Sequence, residues 1–311
     1  MTRESRISVV EIGTNSIKLV IARVTGGGGF QVVRFSKQTT RIGRGLGGGD
    51  RISPRAIDET VTALEAFNQH LDDDTRRFAF STYAMRKAID STRTVRELEK
   101  TLGCPLRILT GREEARFAYH SARHSLRLAG QAAVLVDIGG GSTEVVFAEK
   151  NRVLRARSIP LGALHLTERF LHSDPVAPDE FAAMVSHIRT KVTFTLQSMS
   201  ITKRAPTPFE IVASGGTATT IVGMIGGDRF HAGTRVRSTD ISMCLQLLLP
   251  KPISERKRVP GLEPNRADIM PAGLAIASAF LRGTGKRVLR VNPGGVREGV
   301  LLHLIENNLQ W

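Results

Sequence analysis

Apolar residues along this chain follow two rhythms. Short runs bounded by turn-forming residues read as strands: Ile7, Val9 and Val10 in one, positions 17–20 in the next, and 132–136 further on. Met184, Ile188, Val192 and Leu196 instead recur every four residues, as on the buried face of a helix. Carried along the first half, the pattern predicts strands at 6–12, 16–24, 30–37, 76–81 and 105–109, with helices at 53–70, 82–101 and 111–126. The second half repeats the scheme. Its strands are predicted at 132–137, 143–149, 152–158, 209–214 and 287–291, and its helices near 162–171, 178–198, 216–225, 239–248, 267–282 and 296–308. Ser53-Pro54 gives the first helix an N-cap and a first residue with preset φ. Each half therefore runs β-β-β before alternating α with β, which predicts two α/β domains, over 1–125 and 126–311, facing a cleft. The last helix, within 296–311, can return to the first domain. Glycines at 26–29 predict a hairpin turn, and those at 47–49 a flexible loop near the cleft rim.

Both opening hairpins share an unusual turn. Glu11-Ile12-Gly13-Thr14-Asn15-Ser16 follows the first strand, and Asp137-Ile138-Gly139-Gly140-Gly141-Ser142-Thr143-Glu144 follows the strand at 132–137. Small residues let the chain bend with its N–H groups pointing inward, and hydroxyls and amides add donors, so each turn can clasp a phosphate group. A carboxylate at the entry suits a hydrated magnesium ion bridging to phosphate oxygens. One such turn is weak evidence, because glycine turns are common in hairpins. Two of the same design imply a duplicated fold with a phosphate between its halves.

The chain has 311 residues, 44 Lys+Arg against 29 Asp+Glu, and a formal charge of +15, which favours a polyanionic partner. Aromatic residues are only 5% and are not interleaved with the basic clusters, so stacking platforms for a nucleic acid are missing and no specific nucleic-acid partner is expected. The clusters lie at 123–127, 152–157, 251–258 and 282–290; those at 152–157 and 282–290 are expected to border the cleft and guide the distal part of a polyanion. No apolar stretch approaches the length of a membrane span and the N-terminus lacks an apolar signal, so a cytoplasmic protein without a membrane partner is expected. Two distant cysteines, Cys104 and Cys244, indicate neither a disulfide framework nor a zinc site.

Other chemistries are set aside on sequence. Positions 43–48 satisfy G-x-G-x-x-G without the strand and helix a dinucleotide site needs, no G-x-S-x-G elbow exists, and His120 and His124 lack a third metal ligand. What remains is rich in carboxylates. Glu113-Glu114 begins a helix directly after a strand, where acids ordinarily stabilise the helix dipole, and Glu144 leaves the second turn. If 141–143 form that turn, strand alternation points Glu144 into the cleft. A carboxylate beside a phosphate site can take a proton from water, which is what phosphoanhydride hydrolysis asks of the protein.

On these residues the chain resembles the exopolyphosphatase/guanosine pentaphosphate phosphatase family, within the superfamily of acetate kinase, sugar kinases, Hsp70 and actin. Positions 11–20 resemble the family's first phosphate loop, 40–46 its R-(L/I)-G-x-G segment, and 81–90 its A-T-x-A-x-R-x-A-x-N segment. Likeness continues through 110–119 (S-G-x-E-E-A-R), the second phosphate loop at 137–144, 158–170, 214–220 and 260–273, and finishes at Gly295-Val296-Arg297-Glu298-Gly299. The resemblance implies two ribonuclease H-like, actin/Hsp70-type α/β domains flanking a phosphate-binding cleft. It implies Glu114 as general base and Glu144 as the group orienting water or metal. Glu11 and Asp137 would hold Mg2+, or Mn2+ in its place, largely through water. Gly13, Thr14, Asn15, Ser16, Gly139, Gly140, Gly141, Ser142 and Thr143 would line the terminal phosphate, Arg86 would neutralise its charge, and Gly215, Gly216 and Thr217 match the superfamily's adenosine-side loop. The family's usual Asp is Glu11 here, a longer arm that bears on metal use. The implied activity is release of terminal orthophosphate from inorganic polyphosphate by direct attack of water, in a homodimer. Hydrolysis of guanosine pentaphosphate, and a non-catalytic polyphosphate or nucleotide sensor, stand as alternatives.

Overall fold

A computed structural model describes residues 5–25, 29–128, 130–201, 208–226 and 231–311. Three strands, β1 (Arg6–Ile12), β2 (Ile17–Val24) and β3 (Phe30–Gln38), precede α1 (Pro54–Asn68), β4 (Arg76–Ser81), α2 (Tyr83–Lys87), α3 (Ser91–Leu102), β5 (Leu106–Ile108) and α4 (Gly111–Leu126). The second half opens the same way with β6 (Ala132–Ile138), β7 (Thr143–Glu149) and β8 (Arg152–Ile159). It continues with α5 (Ala163–Phe170), α6 (Pro178–Ser198), β9 (Phe209–Ser214), α7 (Gly215–Gly226), β10 (Arg235–Arg237) and α8 (Ser238–Leu248). The chain then forms α9 (Ile253–Arg256), α10 (Met270–Thr284), β11 (Val288–Val291) and α11 (Val296–Glu306).

Two sheets result, ordered β3-β2-β1-β4-β5 and β10-β11-β9-β6-β7-β8. In each, an antiparallel three-strand meander is followed by parallel partners, β4 and β5 in the first and β9 and β11 in the second. Apart from the edge strand β10, the connectivity is duplicated, as in the actin/Hsp70-type α/β fold. Strand alternation sends Ile7 and Val9 to one face of the first sheet and Val10 and Ile12 to the other. Val10 and Ile12 pack with Leu64, Phe67 and Leu98 of α1 and α3. Ile7, Val9 and Val20 share a core with Leu135, Val146 and Val212 of the second sheet, and Ala118, Ala122, Val300 and Leu304 of α4 and α11 fill the space between. On the outer face of the second sheet, Val134, Val136 and Ile211 meet α6 and α10. The molecule is thus layered helix, sheet, helix, sheet, helix, with α4 and α11 as the shared middle layer.

Most boundaries agree with the pattern to within a residue or two, and the departures trace to particular tertiary contacts. The helix predicted over 82–101 breaks into α2 and α3 because Ala88 turns extended (ψ 132°) and the Ile89 N–H donates to Asp50 O at 2.9 Å, tying the break to the loop before α1. β10, with the sequence Arg-Val-Arg, is too short and too basic to carry a strand pattern; it forms because Val236 finds the core beside Leu289. Of the predicted turn at 26–29, residues 26–28 lie outside the described ones. The segment at 43–49 is a run of turns, with Leu46 buried and the Gly45 N–H donating to the Glu168 carboxylate of the second half at 3.2 Å.

Candidate active site

The two opening hairpins close identically. Gly13 N–H donates to Ser16 O at 3.2 Å, and Gly139 N–H to Ser142 O at 2.9 Å. Ile12 pairs with Ile17 and Ile138 with Thr143, so each turn comprises four residues. The second turn is therefore 139–142 and not 141–143; Thr143 already belongs to β7, and its hydroxyl donates to Leu161 O. The same register makes the flanking polar residues cross-strand partners: Glu11 faces Lys18, and Asp137 faces Glu144. Lys18 Nζ donates to both Glu11 carboxylate oxygens, at 2.9 and 3.0 Å.

Both turns sit at the carboxyl ends of parallel strands, where α/β sheets leave a crevice for ligands. There they face the starts of α4, α7 and α11 across a cavity of about 80 Å³. Glu11, Gly13, Thr14, Asn15, Ser16, Glu114, Asp137, Gly139, Gly140, Gly141, Ser142, Glu144, Gly215 and Gly216 line it, joined by Lys18, Thr82, Arg266, Gly295 and Val296. Exposed N–H groups at the first turns of α7 and α11 add partial positive charge, as suits an anion. Asn15 is 5% exposed, and neither its amide nitrogen nor its oxygen has a partner among the described residues; a buried amide left open in this way fits a ligand or its water shell.

The neighbouring glutamates of α4 part company. Glu113 occupies the N3 position and closes a capping box with Thr110, its carboxylate accepting from the Thr110 N–H at 2.8 Å, while Arg107 pairs with it. Glu114 is 3% exposed and turns into the cavity, where Arg86 donates to its Oε1. Arg86 also donates to Leu109 O at 2.6 Å, which fixes the guanidinium. Glu144 is held by two hydroxyls, Ser142 Oγ and Ser158 Oγ, each donating to its Oε1 at 2.7 Å.

Four carboxylates, Glu11, Glu114, Asp137 and Glu144, therefore converge on one small buried space, and the protonation of the last three is shifted accordingly. Burial and the nearby Glu144 charge push Glu114 well above the usual carboxylate range. Burial, again with Glu144, raises Asp137 to about 7. Burial raises Glu144 too, opposed by the hydroxyls of Ser158 and Ser142. A cation entering among them would relieve this repulsion. Among the described residues no three His, Cys, Asp or Glu are arranged to bind an ion directly; Glu11 and Asp137, which both line the cavity, are carboxylates that could hold one through water.

Three of the sequence-predicted site residues do not line the cavity. Arg86 stands behind Glu114, Thr143 is directed to Leu161, and Thr217 is buried against Gly273. Two lining cations escaped the sequence reading. Lys18 was accessible to it, because a four-residue turn puts positions 11 and 18 opposite each other. Arg266 was not: it arrives from the segment before α10 and lies so close to Gly216 that a Cβ there would be 1.8 Å from its guanidinium. The basic cluster at 282–290 is also misplaced by the sequence reading. Lys286 and Arg287 precede β11 and so lie at the opposite end of the sheet from the cavity, and β8 runs from Ser158 beside Glu144 away to Arg152.

The sequence profile of the Ppx/GppA phosphatase family matches residues 20–308. The chain belongs to this family. Its relatives include Exopolyphosphatase 2 of Mycobacterium tuberculosis, 29% identical over 96% of this chain and 98% of the relative. Exopolyphosphatase 1 of the same organism is 26% identical over 97% and 89%. Among solved structures, the Ppx/GppA family member of Aquifex aeolicus superposes with a TM-score of 0.79 at 26% identity, covering 99% of both chains. An exopolyphosphatase of Cytophaga hutchinsonii shares the fold with a TM-score of 0.89 at 20% identity, over 97% of this chain and 98% of the other. As a Ppx/GppA family member the chain is a phosphoanhydride hydrolase, and the likeness spans both of its sheets.

Proposed function

We propose that this chain is a magnesium-dependent exopolyphosphatase whose cavity holds the terminal phosphate of inorganic polyphosphate. The observation that carries the reading is the closure of two phosphate-type turns and four carboxylates around about 80 Å³. Such a space takes roughly five to eight water-sized spheres, enough for one tetrahedral phosphate and a few waters. The curated relatives named exopolyphosphatase support the same substrate class.

In this reading Glu114 accepts a proton from water. Its raised basicity suits a general base working near neutral pH, and Arg86 fixes its orientation. Glu144, fixed by Ser142 and Ser158, orients the same water. N–H groups of the two turns and of the α7 and α11 starts, with Lys18 and Arg266, receive the phosphate oxygens. Mg2+, when bound by Glu11 and Asp137, neutralises phosphate charge. Water attacks phosphorus, the bond to the bridging oxygen breaks, and orthophosphate and a chain one unit shorter leave.

Phosphate release from long polyphosphate, tripolyphosphate, guanosine pentaphosphate and ATP, each with and without Mg2+, tests the reading. Polyphosphates should be hydrolysed only with the metal present and in preference to both nucleotides. Preference for a nucleotide, or undiminished turnover in EDTA, would overturn it.

A further inference from the structure

A second concentration of positive charge lies along the β10–β11 edge of the second sheet. Arg235, Lys286, Arg287 and Arg290 line a hollow of about 260 Å³ together with Phe209 and Glu210. β10 and β11 are antiparallel, with Arg235 directly opposite Arg290. Like charges directly opposite each other destabilise a strand pair. Among the described residues only Glu210 offsets them inside the hollow, pairing with Arg290 at 2.7 Å. Arg235 and Arg287 are exposed and have no side-chain hydrogen bond or ion pair among the described residues. A fold that tolerates this repulsion at its sheet edge presents an anion site with at least two uncommitted guanidiniums.

Distance separates this hollow from the cavity. Phe209 and Ser214 are the two ends of β9, so the Phe209 end of the hollow is about 17 Å along the strand from Ser214, while Arg290 and Arg235, level with Val212, are about 7 Å along it and one and two strands further out. The anion is therefore not the phosphate assigned to the cavity. Phe209 gives no stacking platform: it is 7% exposed, Lys286 Nζ lies 4.5 Å from its ring centroid, and Phe147 packs against it edge-on. Without an open aromatic face the site suits a linear inorganic polyanion better than a nucleic acid. We infer that the Arg235–Arg287–Arg290 hollow is an exosite for the distal part of long polyphosphate, anchoring a chain whose end lies in the cavity. This rests on reading the cavity as a polyphosphatase site.

The test uses the full chain and the triple variant Arg235→Gln, Lys286→Gln, Arg287→Gln. Binding of long polyphosphate and tripolyphosphate is measured in EDTA over a range of salt, and hydrolysis of both is measured with Mg2+. The variant should bind long polyphosphate about tenfold more weakly. Its salt slope should be shallower by about 2, for three lost contacts. The KM for long chains should rise to match, while tripolyphosphate hydrolysis stays unchanged. Equal losses for long and short chains, no loss for either, or tighter binding of a single-stranded oligonucleotide than of polyphosphate by the parent would overturn the exosite. Should the parent hydrolyse neither substrate, the proposed activity fails, and the EDTA binding comparison still decides the exosite by itself.

Discussion

Glu113 and Glu114 are adjacent in sequence and meet opposite environments. Glu113 is a half-exposed capping residue; Glu114 is buried among charges. Replacing Glu113 with Ala should cost about 0.5–2 kcal/mol of stability and leave kcat nearly unchanged, whereas Glu114→Gln should lower kcat about a hundredfold or more with substrate binding retained. Chemical denaturation and steady-state kinetics on both variants separate the roles, and turnover of Glu114→Gln within threefold of the parent would remove it as the base. Ser142 needs a similar distinction, since its hydroxyl on Glu144 resembles an activated nucleophile. With direct water attack, Ser142→Ala loses only one of two hydroxyls on Glu144, and kcat should fall less than about tenfold. A collapse like that of Glu114→Gln would point to a phosphoserine intermediate. Glu11→Asp shortens the arm that Lys18 grips, so it should shift the Mg2+ concentration for half-maximal activity more than the saturated rate; identical titrations would take residue 11 out of the metal shell.

The hairpin turns depend on close backbone approach by the start of α5. Gly162, its N-cap, lies so near the second turn that an added Cβ would come within 2.2 Å of Gly140 O and 2.3 Å of Gly141 Cα. Backbone on both sides leaves nothing flexible to move. Gly162→Ala should therefore destabilise the chain by about 1–3 kcal/mol and displace the turn that lines the cavity, lowering activity more than stability alone would. Gly48→Ala supplies the contrast, because no atom lies within 4 Å of its added Cβ. Thermal unfolding of the pair should show a drop for the first and little change for the second. Equal melting temperatures would mean the turn yields to α5 more readily than its backbone contacts imply.

At the scale of the molecule, Asp137, Glu114 and Glu144 set the pH response. Asp137 moves from its usual 3.8 to about 7, and Glu114 and Glu144 are raised with it. Between those values the folded chain holds protons that the unfolded chain has released, so the metal-free protein should lose stability as pH rises from about 4 through 7. Mg2+ should restore part of that loss above pH 7 by binding the ionised native site. Melting curves from pH 5 to 8, with Mg2+ and with EDTA, check both signs; a metal-free melting temperature that climbs across this range would show that the carboxylates are not strained by burial. Asp137→Asn should flatten the profile.

Strand and helix identity, the duplication, and the two phosphate-type turns were legible in sequence because they depend on local rules: alternation, the period of the helix, and glycine where the chain bends. Even the pairing of Glu11 with Lys18 follows from turn length. Other features depend on contacts between segments far apart in the chain. Nothing near Ala88 marks a helix break, since the partner that creates it is Asp50. Arg266 reaches the cavity only because Gly216 leaves room for it, and Arg235 and Arg290 meet because the antiparallel pairing of β10 with β11 sets them opposite each other at the sheet edge. Charge can be counted from sequence, but which charges meet, which are buried and which of two adjacent glutamates turns inward are decided by packing, through the desolvation and proximity that only the folded chain creates.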